Sequence, residues 1–193
     1  MEKDVERHCR QCVPCQQFAR RKRYDELKSQ ISTRPNGLVC MDVIGPVKRG
    51  KHAHRFIVTT MDSLTRVGFA TSYKVNSAEN ARKTLERWIQ QRGKPDEILV
   101  DNGTQFTSTT FKEFCSQAGI KVKYTPCYSH KSAGLIERFN GTLNGRVRRM
   151  RASTNKCWTE LITEALHAIN NCVHDVILMP PRSEEHTTEL QSL

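Results

Sequence analysis

Three acidic residues stand out because of their positions relative to the predicted elements. Asp42 lies inside a short apolar run that predicts a strand. Asp101 directly follows the apolar run "ILV" and precedes an Asn-Gly turn signal. Glu137 lies in the first turns of a predicted long helix. Taken singly, each has an ordinary alternative explanation: a solvated strand residue, a turn former and a surface charge.

Together, the three carboxylates are the kind of ligand set that metal-dependent phosphoryl transfer requires. Phosphoryl transfer on a nucleic-acid backbone uses two divalent cations about 3.5–4 Å apart, which clamp the attacking and leaving oxygens. Magnesium takes carboxylate oxygens, often only one or two per ion. Adjacent strands can present Asp42 and Asp101 at one edge of a sheet, and a helix beside them can bring in Glu137. The set therefore fits a two-metal site.

The elements that must position these acids are predicted from apolar periodicity and turn residues. The order of elements is β-β-β-α-β-α-β-α-α, which indicates an antiparallel meander followed by parallel strands, an α/β mixed five-stranded sheet with flanking helices. The predicted strands cover 38–47, 55–62, 67–75, 97–100 and "IKVKYTP", and the main helices cover about 77–92, 133–151 and 157–173. Asp42 and Asp101 should then lie on neighbouring parallel strands, because the chain between them passes through helix 77–92.

The charge balance favours a nucleic-acid partner. Lys and Arg number 31 against 20 acids, a formal net charge of +11. Solubility is the ordinary alternative, but the basic residues cluster at 20–23 and 146–151. The eight cysteines form no spaced disulfide framework, and no secretory signal or membrane span is visible. We expect an intracellular protein in a reducing compartment, with no membrane partner.

These residues and their spacing resemble the catalytic core of retroviral and Gypsy-type retrotransposon integrases, the DDE recombinases. The motif of that family is Asp, then Asp-Asn-Gly-x-x-Phe, then Glu after 35 intervening residues. This chain has Asp42, "DNGTQF" and Glu137, with 35 residues between Asp101 and Glu137. The segments "DVIGPV", "MDSLTR", "GKPDEILVDNGTQF" and "GLIERFNGTL" match further family patterns. The likeness covers about residues 4–181.

The resemblance implies a ribonuclease H-like fold and two linked reactions. The first is hydrolytic trimming of a DNA 3′ end, and the second is attack of that 3′ hydroxyl on a target phosphodiester. It implies that Asp42, Asp101 and Glu137 are catalytic and hold two Mg²⁺ or Mn²⁺ ions. It also implies DNA, both element ends and target, as the partner, a homo-oligomeric state, and a nuclear, cytoplasmic or retroelement-particle location.

The long helix is expected to contact DNA. Asn144, Arg148 and Arg151 share one face with Glu137 at a period of 3.6 residues. The ordinary alternative is a solvated basic face. A catalytic acid on the same face makes DNA phosphates the better interpretation.

The resemblance adds three DNA contacts on and before that helix. Tyr128 and Asn140 match a family tyrosine and asparagine. Lys131 lies in the loop "CYSHKSAG", where the family places contacts with DNA ends. This loop lacks the family's proline after the tyrosine, and Ala133 stands where the family has Gln or Asn.

Three segments are expected along the chain. Residues 1–31 contain Cys12 and Cys15, whose spacing fits half of a zinc site. The family has a His-His…Cys-Cys zinc domain before its core, so we expect 1–31 to be the C-terminal remnant of that domain, with zinc held only by the full-length protein. Residues 35–181 are expected to be the catalytic core. Residues 182–193, "RSEEHTTELQSL", resemble a translated sequencing adapter and are expected to be an artefact.

Two alternatives to an integrase enzyme remain open. A domesticated or decayed copy would bind DNA without cutting it, and the Ala133 change and the shortened ends favour that interpretation. A host nuclease or resolvase on the same fold would show a different spacing of the acids. The presence of all three carboxylates favours the enzyme.

Overall fold

Five strands form one mixed sheet in the computed structural model, which describes residues 32–48, 50–125 and 134–181 together with Val5. The spatial order is β3-β2-β1-β4-β5. Strands β1 to β3 pair antiparallel, and β4 and β5 continue the sheet parallel to β1. This arrangement confirms the predicted fold class. The strands are β1 Leu38–Ile44, β2 Phe56–Asp62, β3 Gly68–Tyr73, β4 Glu97–Val100 and β5 Lys121–Tyr124.

Five helices flank the sheet in the described residues. The short second helix was not predicted, because four residues carry too little periodicity to identify it. Among the described residues, no helix combines the length and the apolar character needed to cross a membrane. The helices are α1 Ala78–Arg92, α2 Thr104–Thr107, α3 Thr109–Gln117, α4 Gly134–Ser153 and α5 Trp158–Asn171, and a 3-10 turn spans Lys51–Ala53.

The sheet has a hydrophobic core on each face, so the first four residues of the central strand, Leu38 to Met41, are all apolar and buried. Leu38 and Cys40 of β1 pack with α4 and α5, whereas Val39 and Met41 pack with α1 and α3. Successive side chains of a strand point to opposite faces, so a strand covered on both sides reads as a continuous apolar run. Asp42 is the first residue after this buried run.

A close junction fixes α4 and α5 against the start of β3. A side chain at Gly68 would place its Cβ 2.1 Å from the Phe139 ring of α4, so only glycine permits this contact. Asn170 of α5 accepts a hydrogen bond from the Gly68 backbone N–H (2.9 Å) and donates one to its carbonyl oxygen (2.8 Å). The junction therefore holds the helix that carries Glu137 in a fixed position on the sheet.

Asn170→Ala should lower the free energy of unfolding by about 2–4 kcal/mol, because it leaves two backbone groups of buried Gly68 without partners. Asn171→Ala is the matched control, since that exposed side chain bonds only the His167 carbonyl one turn back. The control should change stability by no more than about 0.5 kcal/mol. Urea unfolding of both variants measures the difference, and equal losses would show that the junction does not stabilise the fold.

Candidate active site

The parallel pairing of β1 with β4 brings Asp42 and Asp101 level with each other. The ladder pairs Leu38 with Glu97, Val39 with Ile98 and Cys40 with Leu99. Continued for two residues, the same register sets Asp42 beside Asp101. In each strand, the acid falls at one of the alternate positions whose side chains face α4 and α5. The predicted pairing of the two strands is confirmed.

A cavity of about 110 Å³ collects the three acids between the end of the sheet and α4. Asp42 comes from β1, Asp101 follows β4, and the exposed Glu137 comes from the first turn of α4. Thr125 lines the same cavity and was not identified from the sequence. Its position directly after β5 is the signal that could have found it, because β5 ends at the same edge as β4.

Two hydrogen bonds orient the Asp42 carboxylate. Its Oδ1 accepts from the Val43 backbone N–H, and its Oδ2 accepts from Asn140 Nδ2, both at 2.7 Å. Asn140 lies one turn after Ile136 on α4 and is only 8% exposed. The residue expected to contact DNA is thus buried in this structure and bonded to a predicted metal ligand.

Burial raises the pKa of Asp42 to about 6. The negative charges of Asp101 and Glu137 raise it further, whereas the hydrogen bonds from Val43 and Asn140 oppose the rise. Two like charges converge on the partly buried Asp42 carboxylate, so the electrostatics of the cavity favour a bound cation.

A tight turn directs Asp101 toward the cavity. Asp101 Oδ1 accepts a hydrogen bond from the Gly103 backbone N–H (2.9 Å), and Asn102 Nδ2 donates to the Thr125 carbonyl oxygen (3.1 Å). A Cβ at Gly103 would lie 2.2 Å from Gln105 Nε2 and 2.8 Å from Asp101 Oδ1. Each residue of the Asp-Asn-Gly segment therefore has a physical role in holding the carboxylate.

The donor set fits divalent cations that prefer oxygen ligands, such as Mg²⁺. Within the described residues, Glu137 has no hydrogen bond or ion pair, and Asp101 uses only one carboxylate oxygen. No three acidic, histidine or cysteine side chains in the described part of the chain already stand close enough together to hold one ion.

The other predicted site residues divide between α4 and segments outside the described residues. Asn144 is half-buried, and Arg148 and Arg151 are exposed. Tyr128 and Lys131 lie outside the described residues, as do Cys12 and Cys15. Their predicted contacts, and the assignments of 1–31 and 182–193, stay predictions.

The mixed sheet with its flanking helices is the ribonuclease H-like fold of integrase catalytic cores. The family model described as Integrase core domain matches residues 32–130 of this chain. The chain belongs to the integrase core domain family.

Solved structures share this fold. One is a simian T-cell lymphotropic virus intasome in complex with PP2A regulatory subunit B56 gamma, with a TM-score of 0.77 and 21% identity, covering 94% of this chain and 65% of that chain. Another is the HTLV-2 integrase catalytic core domain in complex with magnesium, in its trimeric form, with a TM-score of 0.67 and 23% identity, covering 78% of this chain and 97% of that chain.

A similar sequence occurs in a retrotransposon polyprotein of fission yeast. The Transposon Tf2-3 polyprotein of Schizosaccharomyces pombe is 27% identical over 186 residues, which is 94% of this chain. The match spans 14% of the length of that polyprotein.

Without divalent metal, the free energy of unfolding of Asp42→Asn should rise relative to that of the native chain as pH increases from 4 to 7. An acid whose folded pKa exceeds its unfolded value binds more protons when folded, so native stability falls as pH rises from about 3.8 to about 6. Asn cannot ionise, so the variant escapes this loss, on the order of 2 kcal/mol. Urea unfolding in EDTA at several pH values measures this difference in stability. A difference that does not depend on pH would contradict the assigned environment of Asp42.

Proposed function

We propose that this chain catalyses DNA integration by polynucleotidyl transfer, comprising 3′-end processing and strand transfer of retroelement DNA. The observation that carries the proposal is the convergence of Asp42, Asp101 and Glu137 on one cavity, from two aligned strand ends and a helix. The proposed catalytic unit is residues 35–181. The family assignment and the retrotransposon relative support this reaction.

The three carboxylates would hold two Mg²⁺ or Mn²⁺ ions. When bound, such ions activate the attacking oxygen and stabilise the charge that develops on the transferred phosphoryl group. The HTLV-2 core with the same fold was solved in complex with magnesium, which supports the choice of ion. The carboxylate oxygens that line the cavity, and the negative charge that they concentrate there, are independent support for a divalent cation.

The residues of this chain have positioning roles in both reactions. Asn140 and the Val43 N–H hold Asp42, while the Asn102–Gly103 turn holds Asp101. Glu137, which is exposed on α4, supplies the third carboxylate of the site. A water oxygen attacks the phosphodiester in the first reaction, and a DNA 3′ hydroxyl attacks in the second. One P–O bond forms as another breaks, so no covalent intermediate with the protein is needed.

We propose that DNA lies along α4. Arg148 and Arg151 are exposed on the helix that carries Glu137, and Asn144 lies between them and the acid. Tyr128 and Lys131 would extend this surface from the segment before the helix. The net charge of +11 supports binding to the phosphate backbone. The intasome and trimeric forms of proteins with this fold support a homo-oligomeric assembly on DNA.

Asp42→Asn, Asp101→Asn and Glu137→Gln should each reduce Mg²⁺- or Mn²⁺-dependent nicking and joining by about 10³-fold or more, because each removes a ligand that stabilises the transferred charge. The assay uses the native chain with DNA ends of the type that related retroelements carry. Mn²⁺ affinity, measured by calorimetry, should fall in parallel.

Glu113→Gln is the matched control for these variants, since Glu113 is an exposed acid on α3 away from the cavity. It should retain full activity. If the native chain is as inert as the three site variants, the chain is a decayed or domesticated integrase that binds DNA without cutting it.

Replacing Arg148 and Arg151 together with Ala should weaken duplex DNA binding for all sequences alike. The plot of log affinity against log salt should become shallower by about two, because two phosphate contacts are lost. The control pair Arg87→Ala and Lys94→Ala removes two exposed basic residues near the opposite end of the sheet. Fluorescence anisotropy over a salt series measures DNA affinity for the native chain, the double variant and the control pair. If the plot of log affinity against log salt has the same slope for all three proteins, DNA does not bind along this face of α4.

A further inference from the structure

A second cavity, of about 300 Å³, adjoins a different face of α4 from the carboxylates. It lies between α4, the turn from β2 to β3 and the residues that follow α5. Its volume is at the lower end of the range for small-ligand pockets. Its charged and ionisable lining is strongly basic, with only one acid: Arg66, Arg138, Arg146, His174 and Asp175.

Arg66 is buried in this cavity and forms no ion pair within the described residues. The residue is 6% exposed, and its Nε has no hydrogen-bond partner in the described structure. Asp62, whose negative charge acts on Arg66, already accepts the backbone N–H groups of Asn36 (2.7 Å) and Leu64 (2.9 Å), and it forms no ion pair with Arg66 in the described residues. A buried charge that makes no ion pair is unfavourable, so an anion entering this cavity would stabilise Arg66.

The neighbouring basic groups leave their donors available to the same cavity. Within the described residues, the Arg138 guanidinium forms no hydrogen bond or ion pair, and Arg146 makes only a weak contact from Nη1 to Cys172 Sγ at 3.6 Å. His174 Nδ1 accepts from the Val176 N–H (3.2 Å), so the neutral ring carries its proton on Nε2.

The electrostatics of His174 agree with a positive cavity. Burial lowers the pKa of His174, and the charges of Arg66 and Arg138 lower it further, against the opposing charge of Asp175. Burial likewise lowers the pKa of Arg66 and Arg138 adds to that effect, whereas Cys40 and Asp62 oppose it.

We propose that this pocket binds a phosphate group through the guanidinium groups of Arg66, Arg138 and Arg146. Guanidinium forks match the oxygens of phosphate in two-pronged hydrogen bonds, which a compact ammonium cannot form. Three arginines against one acid leave a charge that suits a dianion. The phosphate comes either from a DNA backbone or from a free phosphate ion. Binding does not depend on catalysis at the three carboxylates.

The test is calorimetric titration of the 193-residue chain with inorganic phosphate at constant ionic strength. The native chain should bind one phosphate saturably. Arg138→Gln and Arg146→Gln should each weaken binding at least about tenfold, because each removes charge-assisted hydrogen bonds. Neither residue belongs to the buried core, so both variants should fold.

Two controls separate this site from general charge effects and from the active site. Arg87→Gln removes an exposed arginine on α1, and Asp42→Asn disables the proposed catalytic site; both should bind phosphate as the native chain does. The proposal is overturned if the native chain shows no saturable binding, or if Arg87→Gln weakens binding as much as the pocket variants do.

Duplex DNA identifies the source of the phosphate. If the group belongs to a DNA backbone, Arg138→Gln should flatten the salt dependence of duplex binding by about 0.9, and inorganic phosphate should compete with the duplex. If the salt dependence is unchanged while inorganic phosphate still binds, the pocket takes a free phosphate ion.

Discussion

The parallel register between β1 and β4 is the constraint on which the rest of the site depends. It sets Asp42 level with Asp101, and neither acid could be moved by one residue without turning its side chain to the other face of the sheet. Helices cover both faces, so the buried runs that precede these acids cannot slip. The precision of the site thus comes from hydrophobic packing on two sides of a short parallel ladder.

Helix α4 connects that sheet edge to most of the remaining chemistry. It contributes Glu137 to the cavity, and Asn140 to the Asp42 carboxylate. Its basic residues extend along the exposed side, while Phe139 packs against Gly68. A single rigid element therefore links the acid site, the basic surface and the core, so a displacement of α4 would disturb all three together.

The two cavities beside α4 have opposite electrostatic requirements. The carboxylate cavity brings together Asp42, Asp101 and Glu137, and burial together with the two neighbouring negative charges raises the pKa of Asp42. The second cavity concentrates positive charge around a buried arginine. Both have charged groups that the described residues leave without counter-ions, which is unfavourable for the protein alone and favourable for binding metal ions and phosphate groups.

The sequence by itself determined the order of the strands and of every helix except the short α2, the spacing of the three acids and the family resemblance, because periodicity, turn residues and motif spacing are local properties. The strands ended near their predicted limits, although β1 stops at Ile44 rather than at Val47. Only the tertiary structure decided that Asn140 is buried against Asp42, that Thr125 joins the cavity and that Arg66 is buried without an ion pair among the described residues. Those features depend on contacts between residues far apart in the chain, 98 positions in the case of Asn140 and Asp42, and no local pattern encodes such contacts.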